Sequence, residues 1–148
     1  MDTIDWSNLS FGYMKTDYNV RSYYRDGKWG EPQLETSEYI NLHMAATCLH
    51  YGQEVFEGLK AFKGRDGKIR IFRVRDNALR MQSSARGILM AEPPVELFEE
   101  MVLTAVKKNR RFVPPYESGA SLYIRPLLIG TSAQVGVKPA KEYLLLVF

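Results

Sequence analysis

The sequence predicts an α+β fold, a largely antiparallel sheet packed with two main helices. Strand-like stretches come first, two helical stretches follow and strands return at the end, an order unlike the alternation of βαβ units. Short alternating runs turn back on themselves across Asp26-Gly27 and Asp66-Gly67, as antiparallel hairpins do. Each helical stretch carries its apolar residues on one stripe, which must be covered by another layer.

The elements follow in order. Residues 18–25 are rich in aromatic and β-branched side chains, Asp26-Gly27 turns the chain, and Lys28-Trp29-Gly30 resumes the strand. Gly30-Glu31-Pro32 ends that pattern. Residues 39–42 predict a short strand, and 44–51 fit either a helical turn or a loop. The clearest hairpin spans 58–72, where Leu59-Lys60-Ala61-Phe62-Lys63 and Ile69-Arg70-Ile71-Phe72-Arg73 both alternate. Gly67 supplies the positive φ that its turn needs.

Helical spacing takes over at 75–87, placing Ala78, Met81, Ala85 and Ile88 on one stripe, with Asp76 at the start and Gly87 near the end. Pro94 opens a second helix in the first-turn position, and Leu97, Phe98, Met101, Val102, Ala105 and Val106 form its buried stripe. The basic run Lys107-Lys108-Asn109-Arg110-Arg111 closes it, where cations favour the negative end of the dipole. Phe112-Val113-Pro114-Pro115 stops it. A strand at 121–129, a glycine-containing loop at 130–139 and a strand at 143–148 complete the chain. The last strand reads Tyr-Leu-Leu-Leu-Val-Phe, a continuous apolar run of the kind that is buried on both faces. A domain seldom stops on such a residue, and the chain is expected to be cut from a longer one.

Composition narrows the function classes. A chain of 148 residues suits one domain, and 45% apolar with 25% charged residues excludes intrinsic disorder. The net charge of +3 is too balanced to indicate nucleic acid. No eighteen-residue apolar window predicts a membrane span, and the N-terminus lacks the basic and apolar regions of a secretion signal. The single cysteine, Cys48, cannot form an internal disulfide, which suits a reducing cytoplasm. Neither His43 nor His50 has a partner at metal-ligand spacing, so no metal site is expected.

Three sets of residues could carry chemistry. Tyr123 and Arg125 lie two apart on a strand and so emerge from one face, and Pro126 interrupts the ladder beside them. A planar guanidinium next to a phenol suits a carboxylate; an exposed strand arginine paired with a surface acid is the commoner use of such spacing. Arg80 sits on the first helix, where it could reach an anion held above the strand ends or simply face solvent. Tyr51 and Phe56 flank a short polar segment five residues apart, an arrangement that plain core packing also produces.

The stretch from Leu49-His50-Tyr51-Gly52 through Phe56-Glu57-Gly58-Leu59-Lys60, the 72–80 stretch, and Ser121-Leu122-Tyr123-Ile124-Arg125-Pro126 resemble, in order and spacing, the small domain of branched-chain amino acid aminotransferases. These are pyridoxal 5'-phosphate (PLP) enzymes of fold-type IV. Leu9-Ser10-Phe11-Gly12 and Thr16-Asp17 look like the opening segment of that domain, so the likeness runs over nearly the whole chain.

The resemblance implies residues 1–148 to be the small N-terminal domain, with PLP anchored in a larger domain that holds the catalytic lysine. By the same resemblance Arg80 looks like the contact to the PLP phosphate and Tyr123 like a holder of the substrate α-carboxylate. Arg125 looks like the acceptor of the γ-carboxylate of glutamate, and Phe56 and Phe11 like pocket walls. Tyr51 and Val137, the latter in Gln134-Val135-Gly136-Val137, look like residues lent to the partner subunit of a homodimer. Lys60 is not the PLP lysine, and this chain is expected to hold no catalytic residue and to be inactive alone.

The implied partners are small amino acids and 2-oxo acids, with no nucleic acid or membrane. Two nearer rivals share the fold type, a D-amino acid aminotransferase and an aminodeoxychorismate lyase, which Tyr123-Ile124-Arg125-Pro126 fits less well. A freestanding binding module of the same fold is the rival from another class. The abrupt apolar end at Phe148 speaks against it.

Overall fold

The computed structural model describes residues 4–6 and 11–148. Among these residues nine strands form two antiparallel sheets, and helices cover one face of the larger. In the large sheet β1 (Asn19–Arg25) pairs with β2 (Lys28–Trp29) across Asp26-Gly27, both at positive φ, and with β3 (Gln33–Glu35) on the same edge. Its other edge meets β9 (Tyr143–Val147), which meets β8 (Pro126–Gly130), which meets β4 (Glu54–Phe56). The small sheet has β5 (Leu59–Lys63) between β6 (Ile69–Ile71) and β7 (Leu122–Ile124).

The central place of β9 explains its sequence. All five of its residues are buried, and their side chains alternate between two clusters. Tyr143, Leu145 and Val147 join the main core with Val20, Leu128, Met81, Phe98, Met101 and Val102. Leu144 and Leu146 pack on the other face with Ile129. Each such leucine or phenylalanine contributes about 1.5–3 kcal/mol by leaving water.

Two main helices fill the helical layer, as the stripes predict. In α2 (Val74–Gly87) Ala78, Met81 and Ala85 are buried; in α3 (Val95–Lys108) Phe98, Met101, Val102, Ala105 and Val106 are buried. Ile88 departs from expectation: it lies past the end of α2 and is 41% exposed. Leu89 turns through φ 58°, and Met90 enters the core instead. Pro94 occupies the N-cap of α3 rather than its first turn.

Other boundaries differ for physical reasons. Residues 39–42 form no strand; Ile40 and Leu42 are apolar because they pack on the Ile129, Leu144 and Leu146 face. The edge pairing falls instead to β3, two of whose three residues are exposed, leaving no alternation to detect. The ambiguous 44–51 stretch ends in a short helix, α1 (Thr47–Tyr51), closed by Gly52 at φ 58°. The strand at 121–129 is two strands in different sheets. Arg125 is the joint between them, its amide donating to the Phe148 carbonyl at 2.7 Å and its carbonyl accepting from the Phe148 amide at 3.1 Å. Among the described residues no helix is long and apolar enough to cross a membrane, and no cluster of three potential metal ligands exists.

Candidate active site

The corner where β7 gives way to β8 collects the residues with chemical potential. Tyr123 stands on β7 directly across the ladder from Lys60. Arg125 follows at the joint, and its Nε donates to the Tyr123 hydroxyl at 3.2 Å. Its guanidinium carbon lies 4.3 Å from the centroid of the Phe56 ring, a cation–π contact. Phe11 meets the Tyr123 ring edge-on, with centroids 5.2 Å apart at 85°.

Because the phenol oxygen accepts from Arg125, its own O–H is left to donate, beside the remaining N–H groups of the guanidinium. Among the described residues no acid pairs with Arg125, so it is not the ordinary strand arginine neutralised on the surface. Such a fan of donors suits a carboxylate.

The aromatic residues around it are not core. Phe56 is 59% exposed and Phe11 85% exposed. Tyr123, Arg125 and Phe11 line a cavity of about 910 Å³ that also touches Tyr18, Tyr39, Phe112 and Phe148. Phe56 stands outside that lining, beneath the Arg125 guanidinium.

Arg80 projects from α2 with its side chain 67% exposed, toward a carboxylate whose side chain is 3% exposed, that of Glu57. Nε donates to Oε1 at 2.8 Å and Nη2 to Oε2 at 2.5 Å, while Nη2 also reaches Asn77 Oδ1 at 3.2 Å. The hydrogen bonds to Glu57, with its charge, raise the Arg80 pKa above the ordinary arginine value. Nη1 donates to no protein acceptor among the described residues, so a fixed guanidinium with an open edge fits a phosphate. Sequence reasoning missed Glu57. Its only signal was a lone carboxylate between two strands, in Phe56-Glu57-Gly58.

Gly58 completes the corner. A Cβ there would lie 2.7 Å from the Tyr123 hydroxyl oxygen, so the phenol rests against bare backbone. Phe56, Glu57 and Gly58 are consecutive, and respectively stack under Arg125, hold Arg80 and seat Tyr123.

Tyr51 and the loop that carries Val137 meet elsewhere. The Tyr51 hydroxyl donates to the Val135 carbonyl, and Val137 is 86% exposed two residues on. Gln134 braces this loop, its amide donating to the Ala45 carbonyl at 3.1 Å and its side chain to the Lys138 carbonyl at 2.6 Å. Among the described residues the hydrogen bonds and ring contacts of Tyr51 stay within this patch and do not reach the Tyr123–Arg125 corner.

No family model matches the chain. Individual relatives do. It is 47% identical over 148 residues to the branched-chain-amino-acid aminotransferase of Haemophilus influenzae, covering all of this chain and 43% of that protein. The Helicobacter pylori enzyme of the same name is 43% identical over 148 residues, with 44% of its length covered. Among solved structures, a T.th. branched-chain amino acid aminotransferase complexed with N-(5'-phosphopyridoxyl)-L-glutamate superposes with a TM-score of 0.64 at 25% identity, over 90% of this chain and 42% of that one. The chain thus spans about two fifths of the length of the relatives it matches. Over all its residues the chain is similar in sequence to proteins named branched-chain-amino-acid aminotransferase, and over 90% of them it shares the fold of a solved one.

Proposed function

We propose that this chain is the small N-terminal domain of a PLP-dependent aminotransferase that moves an amino group between leucine, isoleucine or valine and 2-oxoglutarate. The observation that carries the reading is the Tyr123–Arg125–Phe56 corner, a donor fan set on exposed aromatic surface.

Each residue has a physical task. The Tyr123 O–H donates to the substrate α-carboxylate and holds the amino acid by its common end. Phe56 and Phe11 offer apolar wall to a branched alkyl group, at about 25 cal/mol per Å² buried. Burying the second carboxylate of glutamate against the same wall would be prohibitive without a partner, and Arg125 supplies one at the edge. Arg80 holds the phosphate of the cofactor through its open Nη1 edge. Bound PLP supplies the electron sink for the chemistry, and its lysine and the acid at its ring nitrogen are assigned to the part of the protein outside these residues.

The length of the matched relatives supports that assignment, since this chain spans 43% of one and 44% of another. The whole protein is proposed to act as a cytoplasmic homodimer, with Tyr51 and Val137 turned toward the partner subunit's site. The 148-residue chain alone is proposed to be inactive.

Purified full-length gene product, supplied with PLP, tests this directly. L-Leucine with 2-oxoglutarate is expected to turn over and D-alanine is not; the reverse preference would sink the reading. Arg125→Leu is expected to lower kcat/KM for glutamate at least about tenfold more than for leucine, because only glutamate leaves a carboxylate unpaired. Equal losses would remove Arg125 from γ-carboxylate recognition.

A further inference from the structure

Glu57 presents a problem that its own burial creates. An ionised carboxylate with a 3% exposed side chain is costly to bury unless it is paired and hydrogen-bonded. Its partner is the side chain of Arg80, which stands on a helix face with most of its surface in water. A carboxylate placed only to stabilise the core would have been cheaper to replace by an apolar residue.

The geometry of the pair is what Arg80 lacks by itself. A long side chain on an exposed helix face samples many rotamers, and holding one of them costs entropy. Here the Nε–Nη2 edge lies side-on against both carboxylate oxygens, at 2.8 and 2.5 Å, and Asn77 adds a third contact at 3.2 Å. Two parallel bonds fix the guanidinium plane as well as its position. Glu57 itself is anchored, since it lies between Phe56 and Gly58 and its amide donates to the Pro126 carbonyl at 2.9 Å.

Two effects on a phosphate therefore oppose each other. The Glu57 charge repels a phosphate dianion, and its hydrogen bonds aim the arginine at one. The side-on pairing leaves Nη1 directed away from the carboxylate, which favours aiming.

We infer that Glu57 is a positioning residue, whose buried carboxylate sets the plane of the Arg80 guanidinium so that Nη1 meets the PLP phosphate. The inference rests on the reading of Arg80 as the phosphate contact, and on that reading it adds the residue that makes the contact effective. It also ties the phosphate end of the site to the substrate end through three consecutive residues, Phe56, Glu57 and Gly58.

The test compares binding of PLP with binding of pyridoxal, which lacks the phosphate, by fluorescence titration of the full-length apoprotein. Arg80→Ala and Glu57→Gln are each expected to weaken PLP about tenfold or more, the scale of one charged hydrogen bond, and to leave pyridoxal unchanged. The double variant is expected to bind PLP no more weakly than Arg80→Ala alone. Should Glu57→Gln fail to fold, Glu57→Asp keeps the charge but shortens the reach, and the same selective loss is expected.

PLP binding as tight as or tighter than wild type in the Glu57 variant, with Arg80→Ala weakened, overturns the inference alone. Equal weakening of PLP and pyridoxal in the Glu57 variant overturns it as well, since that is a structural defect. An unchanged PLP-to-pyridoxal ratio in Arg80→Ala overturns the phosphate reading and this inference together.

Discussion

Gly58 has open backbone where Tyr123 needs room. A methyl group there would press on the phenol at 2.7 Å from its oxygen and 3.1 Å from Cε2, and the far end of the ring can swing aside. Gly58→Ala is therefore expected to fold while breaking the 3.2 Å bond from Arg125 to the Tyr123 hydroxyl, a loss of at most about 1.5 kcal/mol in stability. Amino acid KM should rise several-fold in the full-length enzyme, with kcat less affected. A thermal melt and a substrate titration check both halves, and an unchanged KM would mean the hydroxyl does not hold substrate. Tyr123 and Arg125 were legible because strand residues two apart share a face. Glu57 was not, because its meaning depends on an arginine 23 residues away that only the packing of α2 brings to it.

The hairpin of β5 and β6 shows how far local pattern reaches. Alternation located both strands, and Gly67 takes φ 73° in the turn between them, as an Asp-Gly dipeptide allows. Side chains then finish the turn: Asp66 accepts two bonds from Arg70, at 2.9 and 2.8 Å, and one from the Lys68 amide at 3.2 Å. The Arg70 hydrogen bonds, followed by that from Lys68, pull the Asp66 pKa down to about 2. A carboxyl whose pKa is lower folded than unfolded stabilises fully above its ordinary value of about 4, and the contribution fades as pH falls through 2. A carboxyl NMR titration is expected to find its midpoint near 2, and a midpoint near 4 would refute the pairing. Short edge strands were less legible. Three-residue β3 and β4 carry too few residues to show a period, and they exist because β1 and β8 offer them open edges.

Across the molecule, Asn109 joins the end of α3 to the entry of β1, 91 or 92 residues earlier. It is 4% exposed and fully used: Oδ1 accepts from the Asp17 and Tyr18 amides, both at 3.0 Å, and Nδ2 donates to the Tyr18 and Ala105 carbonyls at 2.8 and 2.9 Å. The neighbouring Arg111 pairs with Asp17 and holds its carboxyl below the ordinary range. In sequence this asparagine is hidden inside a basic run that reads as a helix terminus. Asn109→Ala strands several backbone groups and is expected to cost about 1–3 kcal/mol in urea unfolding. Amide exchange at Asp17 and Tyr18 should accelerate, and the Phe11 ring should lose its edge-on contact with Tyr123. Unchanged exchange at those two amides would show that the arm is held by other contacts.

The antiparallel α+β class, both main helices, the burial of the apolar last strand on both faces and the pairing of Tyr123 with Arg125 all follow from the order of residues. Each depends on periodicity or turn chemistry within a short stretch, which the chain carries locally. The corner itself does not. That β7 and β8 belong to different sheets, that Phe56 stacks under Arg125, and that Glu57 lies buried beneath an exposed Arg80 depend on which distant elements meet. Burial and charge pairing are settled by the whole packed core, so those contacts came into view only with the tertiary structure.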